Sequence, residues 1–138
     1  MNKLIYIFIF LFALSGFSQD TIQVRSPKII TKLGYGKMLN KEGISVKFVK
    51  VISDSRCPKG VNCIWAGEAE VLIDVFKNGV KKEQRIIKVS SSYLSNASLV
   101  TVLDGSELHV MNLAPYPEYD IKIKPEEYYL QLVTKLVE

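Results

Sequence analysis

The chain has little of what active sites and membrane anchors are commonly built from. Its 138 residues include one histidine, one tryptophan and two cysteines. With His109 alone there is no HExxH zinc pair, and the sequence carries neither a Gly-rich phosphate loop nor EF-hand spacing. No apolar run reaches the roughly 20 residues a transmembrane helix needs. No segment keeps a helical period, and there is no repeat, low-complexity tract or interdomain linker. Charge of one sign is also scarce: 18 basic against 14 acidic residues leave a formal net charge of +4. The lysines are spread along the chain rather than gathered in an arm, the pattern of a solvated face and not of a nucleic-acid footprint.

Catalytic constellations are missing in the same way. Serines are plentiful, but no turn marks one as a nucleophile, and no partner is singled out for His109 as a base. Glu68, Glu70 and Asp74 share one strand face at period two and read as its wet side. The sequence therefore implies no catalytic residue, no metal site and no cofactor.

What is present begins with a leader. Lys3 precedes the apolar run from Leu4 to Leu14, then SGFSQ, and Asp20 opens a polar segment. This is the order of a secretory signal peptide. The expected cut lies between Gln19 and Asp20, although Gln departs from the small-residue rule at that position. Residues 1–19 are thus read as signal peptide and residues 20–138 as one domain. The nearest cysteine downstream is Cys57, so no lipid anchor is expected, and no stable membrane insertion after cleavage. The expected location is periplasmic or extracellular.

The remainder reads as strands and turns. Residues 20–40 are ambiguous: TIQVR could be a first strand, Pro27 interrupts it, and Gly34 with Gly36 marks a turn. In GISVKFVKVI the apolar alternation shifts register, which predicts a bulge near Phe48 or Val49. Val71, Ile73 and Val75 share a face of EAEVLIDVF, a strand apolar enough to be central. Asn78 and Gly79 supply a hairpin turn leading to QRIIKV. The serines and asparagine of SSSYLSNAS make a polar connection. SLVTVL and ELHVMNL flank the hairpin dipeptide Asp104–Gly105. In the latter, Leu108, Val110 and Asn112 are expected on one side and His109, Met111 and Leu113 on the other. DIKIK is a short candidate ended by Pro125, and YYLQLVTKLV closes the chain with Leu130, Leu132 and Leu136 on one face. The expected fold is all-β: a single antiparallel β-sandwich or barrel-like domain of about seven or eight strands.

The most unusual stretch is DSRCPKGVNCIWAGEA, from Asp54 to Ala69. Two cysteines in an exported chain pair with each other, so a Cys57–Cys63 disulfide is expected. It closes a small loop, contributing about 2 kcal/mol by chain entropy. Three readings of the stretch stay open. In the first it is a structural clasp: Pro58 and Gly60 shape the loop, Trp65 folds back as an apolar plug over Gly67, and Asp54 or Glu68 pairs with Arg56, or Asp54 caps backbone N–H groups. In the second, Lys59 is presented on a rigid loop, as a secreted protease inhibitor would offer it. In the third, the cysteines serve redox or metal chemistry, with His109 and Asp54 as further ligands.

The same stretch, continued to Val71, resembles a motif of small exported bacterial proteins: SRCP, a few residues, Cys, then WAG and an acidic or amide residue before an apolar strand. The matching residues here are Ser55, Arg56, Cys57, Pro58, Cys63, Trp65, Ala66, Gly67 and Glu68. A later Pro-x-Pro segment is similar to Pro115–Pro117. The resemblance implies export and mostly β-structure, and implies no activity.

Tyrosine is the last conspicuous residue type. Tyr116, Tyr119, Tyr128 and Tyr129 gather late in the chain. They form either an exposed patch for sugars or a protein partner, or an ordinary half-buried core. The function expected is that of a secreted or periplasmic non-catalytic binding or accessory protein, its partner a protein or a cell-envelope component and not nucleic acid. The alternatives are an inhibitor using Lys59, and an enzyme or metal-binding protein using His109.

Overall fold

The computed structural model describes residues 30–41, 43–90, 98–103 and 106–136. The leader, the TIQVR segment, most of the serine-rich connection including Tyr93, and the Asp104–Gly105 dipeptide lie outside the described residues. Eight strands form: β1 (Ile30–Gly34), β2 (Met38–Lys41), β3 (Ile44–Asp54), β4 (Glu68–Lys77), β5 (Val80–Ser90), β6 (Ser98–Leu103), β7 (Ser106–Ala114) and β8 (Tyr129–Leu136). They make two four-stranded sheets, ordered β1-β8-β7-β6 and β2-β3-β4-β5. Every pairing is antiparallel. The two sheets stay open and pack face to face, so the fold is a sandwich and not a closed barrel.

The core follows from period-two patterning. Val71, Ile73 and Val75 point inward from β4, which lies inside its sheet between β3 and β5. Val46 and Phe48 join them from β3, and Leu108, Val110, Leu113, Leu130 and Leu132 face them from the other sheet. The expected bulge is present: the β3–β4 register shifts between Phe48 and Lys50. A second shift, between Val51 and Ser53, turns Asp54 toward the interior end of the sandwich. Asn78 and Gly79 both adopt positive φ, as a tight two-residue hairpin turn requires.

Two expectations need correction. Leu113 does not lie opposite Leu108 and Val110; all three are buried in the core. A register shift between Val110 and Asn112 leaves Met111 as the extra residue and reverses the alternation after it. DIKIK is not a strand. Asp120 takes a left-handed conformation and Ile121 makes only an isolated bridge back to Glu118, so the segment turns on itself. A single 3₁₀ turn, Pro125–Glu127, then leads into β8.

The burial pattern separates two isoleucines of similar sequence context. Ile73 is fully buried, whereas Ile86 on edge strand β5 is 57% exposed. Ile73→Ala is expected to lower stability by about 2–5 kcal/mol, and Ile86→Ala by no more than about 0.5 kcal/mol. Urea unfolding of the two variants measures the difference.

Candidate functional site

The loop between β3 and β4 stands on a buried ion pair. Asp54 and Arg56 are two residues apart in extended chain and point the same way. Arg56 is only 2% exposed. Its Nε donates to Asp54 Oδ1 at 2.7 Å and its Nη2 to Oδ2 at 2.6 Å, a bidentate fork. The same guanidinium reaches the other sheet. Nη1 donates to the Leu113 carbonyl at 2.5 Å and Nη2 to that of Pro115 at 3.2 Å. Tyr116 lies with its ring centroid 4.9 Å from the guanidinium carbon. The Tyr128 hydroxyl donates to Asp54 Oδ2 at 3.1 Å. Burial first, then the Asp54 charge, pushes the Tyr128 phenol up to about 12.

Above this base the chain forms a small lobe. Ser55 N donates to the Glu68 carbonyl at 2.9 Å and Cys57 N to that of Ala66 at 2.9 Å, so the β3–β4 ladder continues into the loop. The Cys57–Cys63 disulfide closes it, with Cα atoms 5.9 Å apart. On its other flank Lys59 and Glu118 make an isolated bridge. Lys59 N donates to the Pro117 carbonyl, and Tyr119 N to the carbonyl of Lys59. The two loops at this end of the sandwich are thereby joined. Gly60 and Gly67 both take left-handed φ. At Gly67 an added Cβ would collide with the Ser55 carbonyl oxygen.

Trp65 is not a plug. It is 80% exposed, and its neighbour Ile64 is 93% exposed. The base of the loop is occupied by Arg56, Tyr116 and Tyr128. The reason for Gly67 changes accordingly: it admits the Ser55 backbone, not an aromatic ring. Ile64 and Trp65 stand in a bend between the two limbs of the lobe, beyond the reach of the sheet's alternation, and together form an apolar projection. Val61, Tyr119 and Ile121 are also exposed in the joined loops.

The other candidate residues are dispersed. Glu68 does not pair with Arg56; it accepts from Lys88 Nζ at 2.6 Å on the outer face of the sheet. Glu70 joins the same lysine at 3.3 Å. Asp74 lies 2.7 Å from Lys81 Nζ, whose hydrogen bond is the main cause that holds its carboxyl below the usual range. Glu68 and Glu70 thus share one lysine, and Asp74 has another. Pro58 is half-buried at the start of the disulfide loop. Lys59 has an exposed ammonium 3.5 Å from Glu118, but its backbone is occupied by the bridge to Pro117 and Tyr119. A segment offered to a protease presents those same groups, so the inhibitor reading gains nothing from the geometry.

The tyrosines divide three ways. Tyr116 and Tyr128 belong to the ionic base, and Tyr119 is exposed beside Gly60. Tyr129 lies under Lys32 Nζ at 5.1 Å. His109 is buried with Nε2 2.8 Å from Glu107 Oε2. The thiols that a Cys57, Cys63 and His109 metal site requires are joined to each other, and Asp54 is committed to Arg56. Among the described residues no three His, Cys, Asp or Glu side chains converge.

The fold and the lobe together define a β-sandwich with a disulfide-pinned, apolar-tipped loop at one end. Comparison of the chain with protein-family models, with curated proteins and with solved structures finds no match.

Base and tip make different demands on stability. Arg56→Ala strands Asp54 and two carbonyls and is expected to cost about 3–5 kcal/mol, whereas Trp65→Ala costs no more than about 0.5 kcal/mol. Thermal or denaturant unfolding decides between them. Tyr128 adds a pH signature. Its unfolded phenol ionises near 10.0 and its folded phenol near 12, so the unfolded state holds fewer protons in that window. Stability is expected to be intact below about pH 10 and to fall through pH 12. The alkaline slope should be shallower in Tyr128→Phe; equal slopes would remove the role given to this hydroxyl.

Proposed function

We propose that this is an exported, non-catalytic binding protein of the cell envelope, periplasmic or extracellular, whose contact surface is the apolar tip of the disulfide lobe. The observation that carries the reading is the contrast within ten residues: Arg56 is 2% exposed at the base, and Ile64 and Trp65 are 93% and 80% exposed at the tip. A fold that spends a buried ion pair, a disulfide and a cross-loop bridge on holding two large apolar side chains in water is organised for contact. Rigid aromatic anchors of this kind dominate binding energies, and a preformed loop lowers the ordering cost of association. The disulfide fits an oxidising compartment, in line with the leader-like start of the sequence and with the resemblance of the Cys–Trp motif to small exported bacterial proteins.

The test does not require knowing the partner. Trp65 is the sole tryptophan, so tryptophan oxidation read by peptide mass spectrometry is assigned to one site. Its oxidation rate is compared between the isolated protein and intact cell envelopes containing it. The expected result is several-fold protection in the envelope, on a chain whose mass shows that residues 1–19 have been removed. An equal rate in both settings rejects the contact surface, and retention of the chain in the cytoplasm rejects export.

A further inference from the structure

We propose that the lobe docks the protein on a lipid bilayer by seating Ile64 and Trp65 at the headgroup boundary. The proposal rests on the contact surface just described and names its occupant. Three observations point to lipid.

The first is the shape and composition of the tip. Ile64 and Trp65 project as consecutive side chains, 93% and 80% exposed. An aliphatic group beside an indole suits the bilayer interface, where the ring has one apolar and one wet side. The second is charge. Arg56 is matched by Asp54 and Lys59 by Glu118, so both cations of the lobe are paired and neither is left for a charged protein site to read. Without residues 1–19, which hold Lys3, the formal charge of +4 becomes +3, which complements the negative surface of anionic membranes without being concentrated at the tip. The third is the backbone. Chain that approaches hydrocarbon has to carry its own hydrogen bonds. Here the limbs below the tip do so: Cys57 N donates to the Ala66 carbonyl, Lys59 N to that of Pro117 and Tyr119 N to that of Lys59. The disulfide holds the loop in that state. The insertion is therefore driven by apolar burial, with anionic lipid as a secondary attraction.

The probe is the purified full-length mature protein mixed with unilamellar vesicles of phosphatidylcholine, and with vesicles in which part of that lipid is replaced by phosphatidylglycerol. Trp65 emission and cosedimentation are followed together. Expected are a blue shift with both vesicle types, quenching by lipids brominated along the acyl chain, and tighter binding with phosphatidylglycerol. Ile64→Ser keeps the tryptophan and should weaken binding about tenfold on both compositions, the loss of one buried aliphatic side chain. The Ile86→Ala variant should bind as the unmodified protein does.

The proposal is overturned if emission is unmoved and the protein stays in the supernatant with both vesicle types. Binding to phosphatidylglycerol alone that ignores Ile64→Ser also overturns it, since that is simple charge adsorption. A blue shift that grows with protein concentration in the absence of vesicles assigns the tip to a second copy of the chain instead. Protection of Trp65 in intact envelopes with no response to vesicles leaves the contact surface standing and transfers it to a protein or polymer partner. Silence in both experiments removes the contact surface itself.

Discussion

Arg56 is the point at which the two sheets and the lobe meet. Its guanidinium holds Asp54 at the end of β3, takes the Leu113 carbonyl from the last turn of β7, and takes that of Pro115 from the following loop. Tyr128, at the entry to β8, completes the set through Asp54. A buried ion pair is weak evidence of net stabilisation, because desolvating both charges offsets most of their attraction. Its value here lies in direction. A planar fork with fixed donors accepts few arrangements of its partners. It therefore fixes where β3 ends, where the Pro115–Pro117 loop runs, and at what angle the chain leaves the sandwich toward Cys57.

That angle decides the rest of the lobe. With Ser55 and Cys57 still bonded across to Glu68 and Ala66, the two limbs leave the sandwich as a continued ladder. Only a residue without Cβ can stand against the Ser55 carbonyl, and Gly67 supplies it. The disulfide then closes the far end, and the Lys59–Glu118 bridge ties one flank to the neighbouring loop. Each constraint acts on backbone. None uses Ile64 or Trp65, which are left with no inward direction.

Much of this order was legible in the chain. The shared face of Val71, Ile73 and Val75 marked the inner side of β4, and the shifted alternation in GISVKFVKVI marked a bulge near Phe48 or Val49, because a period of two has no other way to slip. The Asn78–Gly79 turn was legible for a local reason, its demand for positive φ. The pairing of Asp54 with Arg56 was foreseen as one of three options, and a second, Asp54 accepting from a backbone N–H, is present beside it, since Arg56 N donates to Oδ1 at 3.3 Å. The bulge at Met111 was not legible, since Leu108, Val110 and Leu113 show a break in alternation only when their depth is known. DIKIK alternates like a strand, yet the left-handed Asp120 turns it away; an alternating pattern states which side chains could share a face, not whether a partner strand is within reach. Trp65 was misjudged because aromatic residues in small domains are mostly inside, and that tendency holds only where the backbone brings the ring to the core.

The ionic base and the apolar tip are therefore linked by exclusion. At the interior end of the sandwich the guanidinium lies near the Tyr116 ring and donates to Asp54 and to the carbonyls of Leu113 and Pro115. An indole in that place would satisfy the hydrophobic effect locally, yet it would leave Asp54 and the carbonyls of Leu113 and Pro115 without their donor. Once an arginine holds the end, the ring must face outward, and its exposure becomes a property of the fold rather than an accident of a loose loop. Stability then depends on Arg56 and its partners, while contact depends on Ile64 and Trp65. The two can be altered separately because the hydrogen bonds of Arg56 and Tyr128 run to Asp54, Leu113 and Pro115.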